Sequence, residues 1–160
     1  MSAVKIRALN EHDAEWVQRL LVERWGSAYV VSRGTSHDPR RLPGFVAEQA
    51  GQRVGLVTYR IANGECEIVT IDSVTPGLGV GSALIDAVQH AARQSGCRRV
   101  WLITTNDNTP AIRFYQKRGF ALAALHRGAI DAARKLKPEI PPIGLDGIPI
   151  RDEIEFEIVL

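Results

Sequence analysis

Residues 77–82 read Gly77-Leu78-Gly79-Val80-Gly81-Ser82. Glycines at alternate positions let a backbone turn sharply and present its N–H groups. A helical pattern follows at residues 82–95, with Leu84, Ile85, Val88, Ala91 and Ala92 on one face and Gly96 as its stop. The opening of a helix adds unpaired amide donors and the positive end of its dipole. Loop and helix together would cradle a phosphate. A tight strand-to-helix turn with nothing bound explains the same glycines. The string is not G-x-G-x-x-G, because Ser82 stands where the last glycine belongs, and no lysine follows it to make a P-loop.

Carboxylates form the second chemical feature. Glu65, Glu67 and Asp72 lie in the strand pattern ahead of the loop. Strand alternation sends Glu65 and Glu67 to one side and Asp72 to the other. Glu153, Glu155 and Glu157 alternate with Ile154, Phe156 and Ile158 near the C-terminus. Such rows would favour a cationic ligand; a solvated face of a half-buried strand explains the C-terminal row as well. Cys66 and Cys97 stand 31 residues apart, and His12, His37, His90 and His126 are dispersed, so no zinc spacing is present. Two lone thiols suit a reducing cytosol.

The elements that must position these residues follow from periodicity. Residues 4–9 alternate as a strand. Asn10 stands as an N-cap with Asp13 three residues on, and a helical pattern runs to Trp25 with Trp16, Val17, Leu20, Leu21 and Trp25 on one core-facing side. Residues 26–44 lose periodicity and read as a long loop, a length that is often functional. Residues 45–48 and 54–61 are strands joined at Gly51-Gln52, and Asn63-Gly64 marks a hairpin into a third strand at 65–73. Residues 100–103 suit a buried strand, Pro110 opens a helix ending at Gly119, and residues 120–125 return to strand. A short helix at 129–137, a Pro/Gly-punctuated loop at 138–149 and a final strand complete the chain. The fold class is therefore α/β: a mixed α+β sheet, an antiparallel meander followed by strand-helix-strand-helix-strand, with helices on both faces.

The 160 residues are 45% hydrophobic and 24% charged, which fits a single soluble domain over 1–160 and excludes a disordered chain or disulfide scaffold. Net charge is +2, from 20 Lys+Arg against 18 Asp+Glu. The basic residues are scattered pairs (Arg40-Arg41, Arg98-Arg99, Lys117-Arg118), which argues against nucleic acid. No stretch has the apolar length of a membrane span or a secretory leader, so the expected location is cytoplasmic.

A second motif, Asn108-Thr109-Pro110-Ala111-Ile112-Arg113-Phe114-Tyr115-Gln116-Lys117-Arg118-Gly119-Phe120, lies one strand beyond the glycines. Taken with Gly77 to Ser82, it resembles the GCN5-related N-acetyltransferase (GNAT) family. That family shows (Arg/Gln)-Gly-x-Gly-(Ile/Val)-Gly-(Ser/Thr) opening a helix, then Asn-x-x-Ala-x-x-Phe-Tyr-x-x-x-Gly-Phe. The chain departs from the pattern at Pro76, which either stands where the arginine or glutamine would, or closes a Val74-x-Pro76 match to the family's Val-x-Pro with about three residues lost from the loop.

The resemblance implies the GNAT fold and transfer of an acetyl group from acetyl-CoA to a primary amine, with no metal. By the same resemblance the CoA site comprises Ile71, Asp72, Ser73, Val74, Gly77, Leu78, Gly79, Val80, Gly81, Ser82, Asn108, Phe114 and Tyr115. Tyr115 matches the tyrosine near the CoA sulfur and is the candidate general acid. Glu67 matches a strand glutamate that several members use as base. Thr104, Thr105 and Asn106 would face the acceptor, and the 26–44 loop would border it. Partners are then a small-molecule or peptide amine, with a homodimer compatible with the C-terminal strand. A non-catalytic acyl-CoA sensor on the same fold, or a module taking another phosphate ligand, are the competing readings.

Overall fold

The computed structural model describes residues 3–75 and 77–160. A seven-stranded sheet runs in the order β1-β4-β5-β6-β7-β9-β8, where β1 is Lys5–Ala8, β4 Gly44–Gln49, β5 Gln52–Ala62, β6 Glu65–Ser73, β7 Arg99–Thr105, β8 Ala121–His126 and β9 Glu153–Val159. The first four strands are the antiparallel meander, and β6 and β7 form the parallel pair. The last strand inserts between β7 and β8, antiparallel to both.

Helix α1 (Ala14–Trp25) buries Val17, Leu20 and Leu21 with Leu56 on one face of the sheet. It is introduced by a capping box in which Asn10 and Asp13 satisfy each other's backbone amides, followed by a short 3-10 turn. Gly26 ends it in the left-handed conformation at φ +78°. On the opposite face α2 (Val80–Gln94) and α3 (Thr109–Lys117) pack on the larger core, around Val57, Ile68, Leu84, Ile85, Val100 and Phe156. The fourth helix, α4 (Ala129–Leu136), lies on the α1 side. Asn63 and Gly64 both have positive φ, as the hairpin motif requires.

Three expectations change. Residues 26–44 are not an irregular loop: β2 (Val30–Ser32) and β3 (Thr35–His37) pair as a hairpin through Arg33 and Gly34, both with positive φ, and a 3-10 turn follows at Pro39–Arg41. Three-residue strands are too short to register as alternation, and arginine is not a turn residue one looks for. The β4–β5 turn falls on Ala50 and Gly51, both with positive φ, rather than on Gly51-Gln52. Trp25 is 39% exposed, so it is not a core residue.

Two irregularities shape the centre of the sheet. β6 pairs with β7 only at Cys66–Val100, Glu67–Trp101 and Ile68–Leu102. Beyond Ile68 the two strands have no ladder between them, so β6 has a strand neighbour on one side only. A register shift then occurs: Thr58 pairs with Thr70 but Tyr59 with Ile68, leaving Val69 as an extra residue in β6. One extra residue inverts the alternation beyond it. Asp72 therefore comes out on the same face as Glu67, not opposite it; its pair is Leu56, packed under α1.

Candidate active site

A cleft of about 650 Å³ opens between the end of β6, the glycine loop, the start of α2 and α3. Of the residues read from sequence, Ile71, Ser73, Gly77, Gly79, Val80, Gly81, Phe114 and Tyr115 line it. Gly77 and Gly79 both have positive φ, at +84° and +69°, with open space where a Cβ would project. The first helical hydrogen bond of α2 runs from the amide of Ala83 to the carbonyl of Gly79. The amides of Val80, Gly81 and Ser82 precede that bond and have no helical acceptor. These donors sit at the positive end of a 15-residue helix, a chemistry suited to an anion. Gly81 has a different reason: a Cβ there would lie 2.6 Å from Phe114 Cζ.

Sequence reasoning missed Arg118. Its guanidinium lies 3.6 Å above the Phe114 ring, and its Nε donates to Ser82 Oγ at 2.9 Å. It lines the cleft, adding a cation beside the helix opening. The pairing Lys117-Arg118 was the only hint.

Four predicted contacts fall elsewhere. The Val74 amide donates to the Val54 carbonyl at 2.8 Å, so it is already used by the sheet. Asp72 points away from the cleft and accepts from Trp25 Nε1 at 3.0 Å. Leu78 packs against the core. Asn108 caps α3, accepting from the Ala111 amide at 3.3 Å, and lines a second cavity. Pro76 lies outside the described residues.

Tyr115 is 8% exposed and borders the cleft. Phe114, Phe120 and Phe156 surround its ring at centroid distances of 5.3, 5.6 and 5.9 Å. Burial first, and the nearby Asp72 charge second, push the phenol well above its ordinary pKa. It stays protonated across the physiological range.

The second cavity, about 120 Å³, lies on the other face of the sheet. Glu67, Ser32, Thr104, Thr105, Asn108, Glu153 and Trp25 line it, so the two threonines expected near an acceptor do meet Glu67 there. Asn106 instead ties down the approach to β9: its Nδ2 donates to the Pro149 carbonyl and its Oδ1 accepts from the amides of Arg151 and Asp152. The turn into α3 borders both cavities, with Asn108 on one and Pro110 on the other.

Glu67 is 4% exposed, and its Oε2 accepts from Ser32 Oγ at 2.6 Å. Burial raises its pKa most, with Glu153 and Glu155 adding to the rise, while the Ser32 bond and Arg60 pull it down. Glu153 is also buried and raised, with Arg33 Nη1 3.8 Å away. Glu65 is not part of this pocket; Arg98 and Arg99 bind it at 3.3 and 3.1 Å. Arg99 also holds Glu155 at 2.7 Å, so the C-terminal acidic row is mostly neutralised in place. Ser32 and His37 were hidden by the unread hairpin.

Residues 8–120 match the model of the acetyltransferase (GNAT) family. A Bacillus subtilis (strain 168) protein of uncharacterised function, YdhI, is 40% identical over 152 residues, covering 94% of this chain and 95% of its own. The likenesses in structure are equally extensive. A structure named as an IAA acetyltransferase from Bacillus cereus superposes with a TM-score of 0.73 at 22% identity, covering 99% of this chain and 100% of its own. A GNAT family acetyltransferase from Elizabethkingia anophelis, with acetyl-CoA bound, superposes at 0.71 with 16% identity and 100% coverage of both chains. The cleft, the open parallel pair and the matched domain thus belong together: the chain is a member of the GNAT acetyltransferase family.

Proposed function

We propose that this acetyltransferase moves the acetyl group of acetyl-CoA to a primary amine of a small molecule or peptide, by direct attack of the amine on the thioester. One observation carries the reading: a cleft rich in anion donors and a cavity with a buried carboxylate lie on opposite faces of the sheet, where β6 and β7 part. The amides of residues 80–82 and Arg118 hold the pyrophosphate. The unpaired edge of β6, residues 69–73, offers its alternate backbone groups to the pantetheine arm and to the oxyanion.

An ammonium of ordinary pKa, about 10.4, cannot attack a carbonyl until it loses a proton. Glu67 removes it, and its raised pKa makes it a stronger base than a solvated carboxylate. Tyr115, held protonated, donates to the departing thiolate. Two buried carboxylates, Glu67 and Glu153, suit a cationic acceptor head small enough for about 120 Å³.

The test has two stages. Acetyl-CoA, CoA, ATP and NADH are compared by thermal shift. A ligand at 100 times its Kd adds about 2.7 kcal/mol. At about 2–4 °C per kcal/mol for a chain of this size, the expected midpoint rise is several degrees, with the CoA species only. An amine panel (propylamine, putrescine, glucosamine and a lysine peptide) is then read by thiol release. Tyr115→Phe should lower kcat about 100-fold or more and leave acetyl-CoA affinity unchanged. Stronger stabilisation by ATP or NADH, or full turnover by the variant, would refute this reading.

A further inference from the structure

His37 ends β3 and is 7% exposed. Its Nε2 is the one buried side-chain polar atom without a hydrogen-bond partner among the described residues. Buried nitrogens are rarely left bare, because the loss of water is not made good. This one faces Glu67: Nε2 lies 3.9 Å from Oε1, while Ser32 holds Oε2 at 2.6 Å. Both partners come from the hairpin, Ser32 from β2 and His37 from β3. A closure of about 1 Å would bring Nε2 and Oε1 to hydrogen-bond distance.

We propose that His37 is the proton partner of Glu67: starting from a Glu67 carboxylate and a neutral His37 imidazole, the proton Glu67 takes from an acceptor ammonium passes on to His37 and is then shared between Oε1 and Nε2. In the first step an N–H bond of the ammonium breaks, its electron pair stays on nitrogen, and an O–H bond forms on Glu67. In the second that O–H bond breaks as Nε2–H forms, leaving a carboxylate beside an imidazolium. Glu67 is then charged again and ready to hold a cation. His37 does not line the cavity, so it acts through Glu67 as a positioning residue. The proposal rests on the reading of Glu67 as the base.

The surroundings favour sharing. Ordinary Glu and His differ in proton affinity by about two units. Burial raises Glu67 and lowers His37, which narrows that gap. Arg60 of β5 opposes protonation of both, whereas Glu153 and Glu155 of β9 favour it at Glu67. Those two are partly offset in turn, Glu153 by Arg33 at 3.8 Å and Glu155 by Arg99 at 2.7 Å and His126 at 2.9 Å.

The test uses the full ligand-free chain labelled with 15N-histidine, titrated by NMR, with His37→Gln assigning the signal. In the wild type His37 should begin to protonate at least tenfold more readily than in Glu67→Gln. Superimposable titrations would overturn the proposal, since the carboxylate would then be irrelevant to the imidazole. A second measurement needs no change at Glu67. The Glu67 carboxyl carbon and His37 Nε2 should move in common steps; separate steps overturn it. Neither readout involves acetyl transfer. Failure of every amine in the thiol-release panel would count against the base reading alone.

Discussion

Gly81→Ala is the sharpest test of how the cleft is built. Gly81 sits in the first turn of α2, where alanine is ordinarily preferred by about 1 kcal/mol. Here a Cβ would stand 2.6 Å from Phe114 Cζ and 3.0 Å from Cε2. Carbon atoms prefer about 3.5–4.0 Å, so the ring must retreat by about 1 Å. It cannot do so freely, because Arg118 covers its face at 3.6 Å and Tyr115 meets it edge-on at 5.3 Å. Overpacking of this kind costs about 1–3 kcal/mol. Set against the helix preference, the net loss is about 1 kcal/mol, a midpoint drop of about 2–4 °C. Acetyl-CoA affinity should fall as well, since Phe114 lines the cleft. Phe114→Ala removes the obstacle, and in that background Gly81→Ala should stabilise by up to about 1 kcal/mol. The four proteins form a double-mutant cycle with a coupling of about 2 kcal/mol, read by thermal and urea unfolding. A Gly81→Ala variant more stable than the parent, or equally destabilised in both backgrounds, would refute the reasoning.

Two further outcomes follow from named contacts. Arg118→Gln should weaken acetyl-CoA binding by about 1–2 kcal/mol, or about 5–30-fold by calorimetry, without changing the KM of the amine. Asp13 is fully buried, with Arg7 and Arg53 at 2.8 and 2.9 Å, and the Arg7 bond above all holds its carboxyl far below the ordinary carboxylate range. A lowered folded pKa gives stability that is present above the unfolded value, about 3.9, and lost as pH falls toward the folded one. Asp13→Asn should cost about 3–5 kcal/mol at pH 7. Its deficit should shrink as pH drops below about 4, as measured by urea unfolding at each pH.

The legible parts of the sequence were those whose local chemistry agrees with the fold. Asn10 with Asp13, Asn63-Gly64 and Pro110 after Asn108 each fix a turn or cap by their own backbone needs, and each appears where read. The glycine loop and Tyr115 were readable because they lie in one contiguous motif each. The β2–β3 hairpin was not: its strands have three residues apiece, and Arg33 takes a positive φ that its type does not advertise. Ser32 and His37 were lost with it. Arg118 gave only a charge, because its value comes from stacking on Phe114 and reaching Ser82, a residue 36 positions away.

The side on which Asp72 falls shows what pattern reading misses and why it matters. Strict alternation between residues 67 and 72 puts their side chains on opposite faces; the extra residue at Val69 puts them on one. The same bulge lies next to the point where β6 leaves β7. A regular β6 would have turned Asp72 toward the cleft, where a carboxylate would repel the phosphate-bearing ligand proposed for it. With the bulge, Asp72 is held by Trp25 on the far face, while Ile71 and Ser73 line the cleft. One inserted residue thus keeps the Asp72 side chain out of the cleft lining and places it on the face that already carries Glu67. That division of charge, anion donors on one face and buried carboxylates on the other, is the arrangement that the proposed transfer from an anionic acyl donor to a cationic acceptor would use.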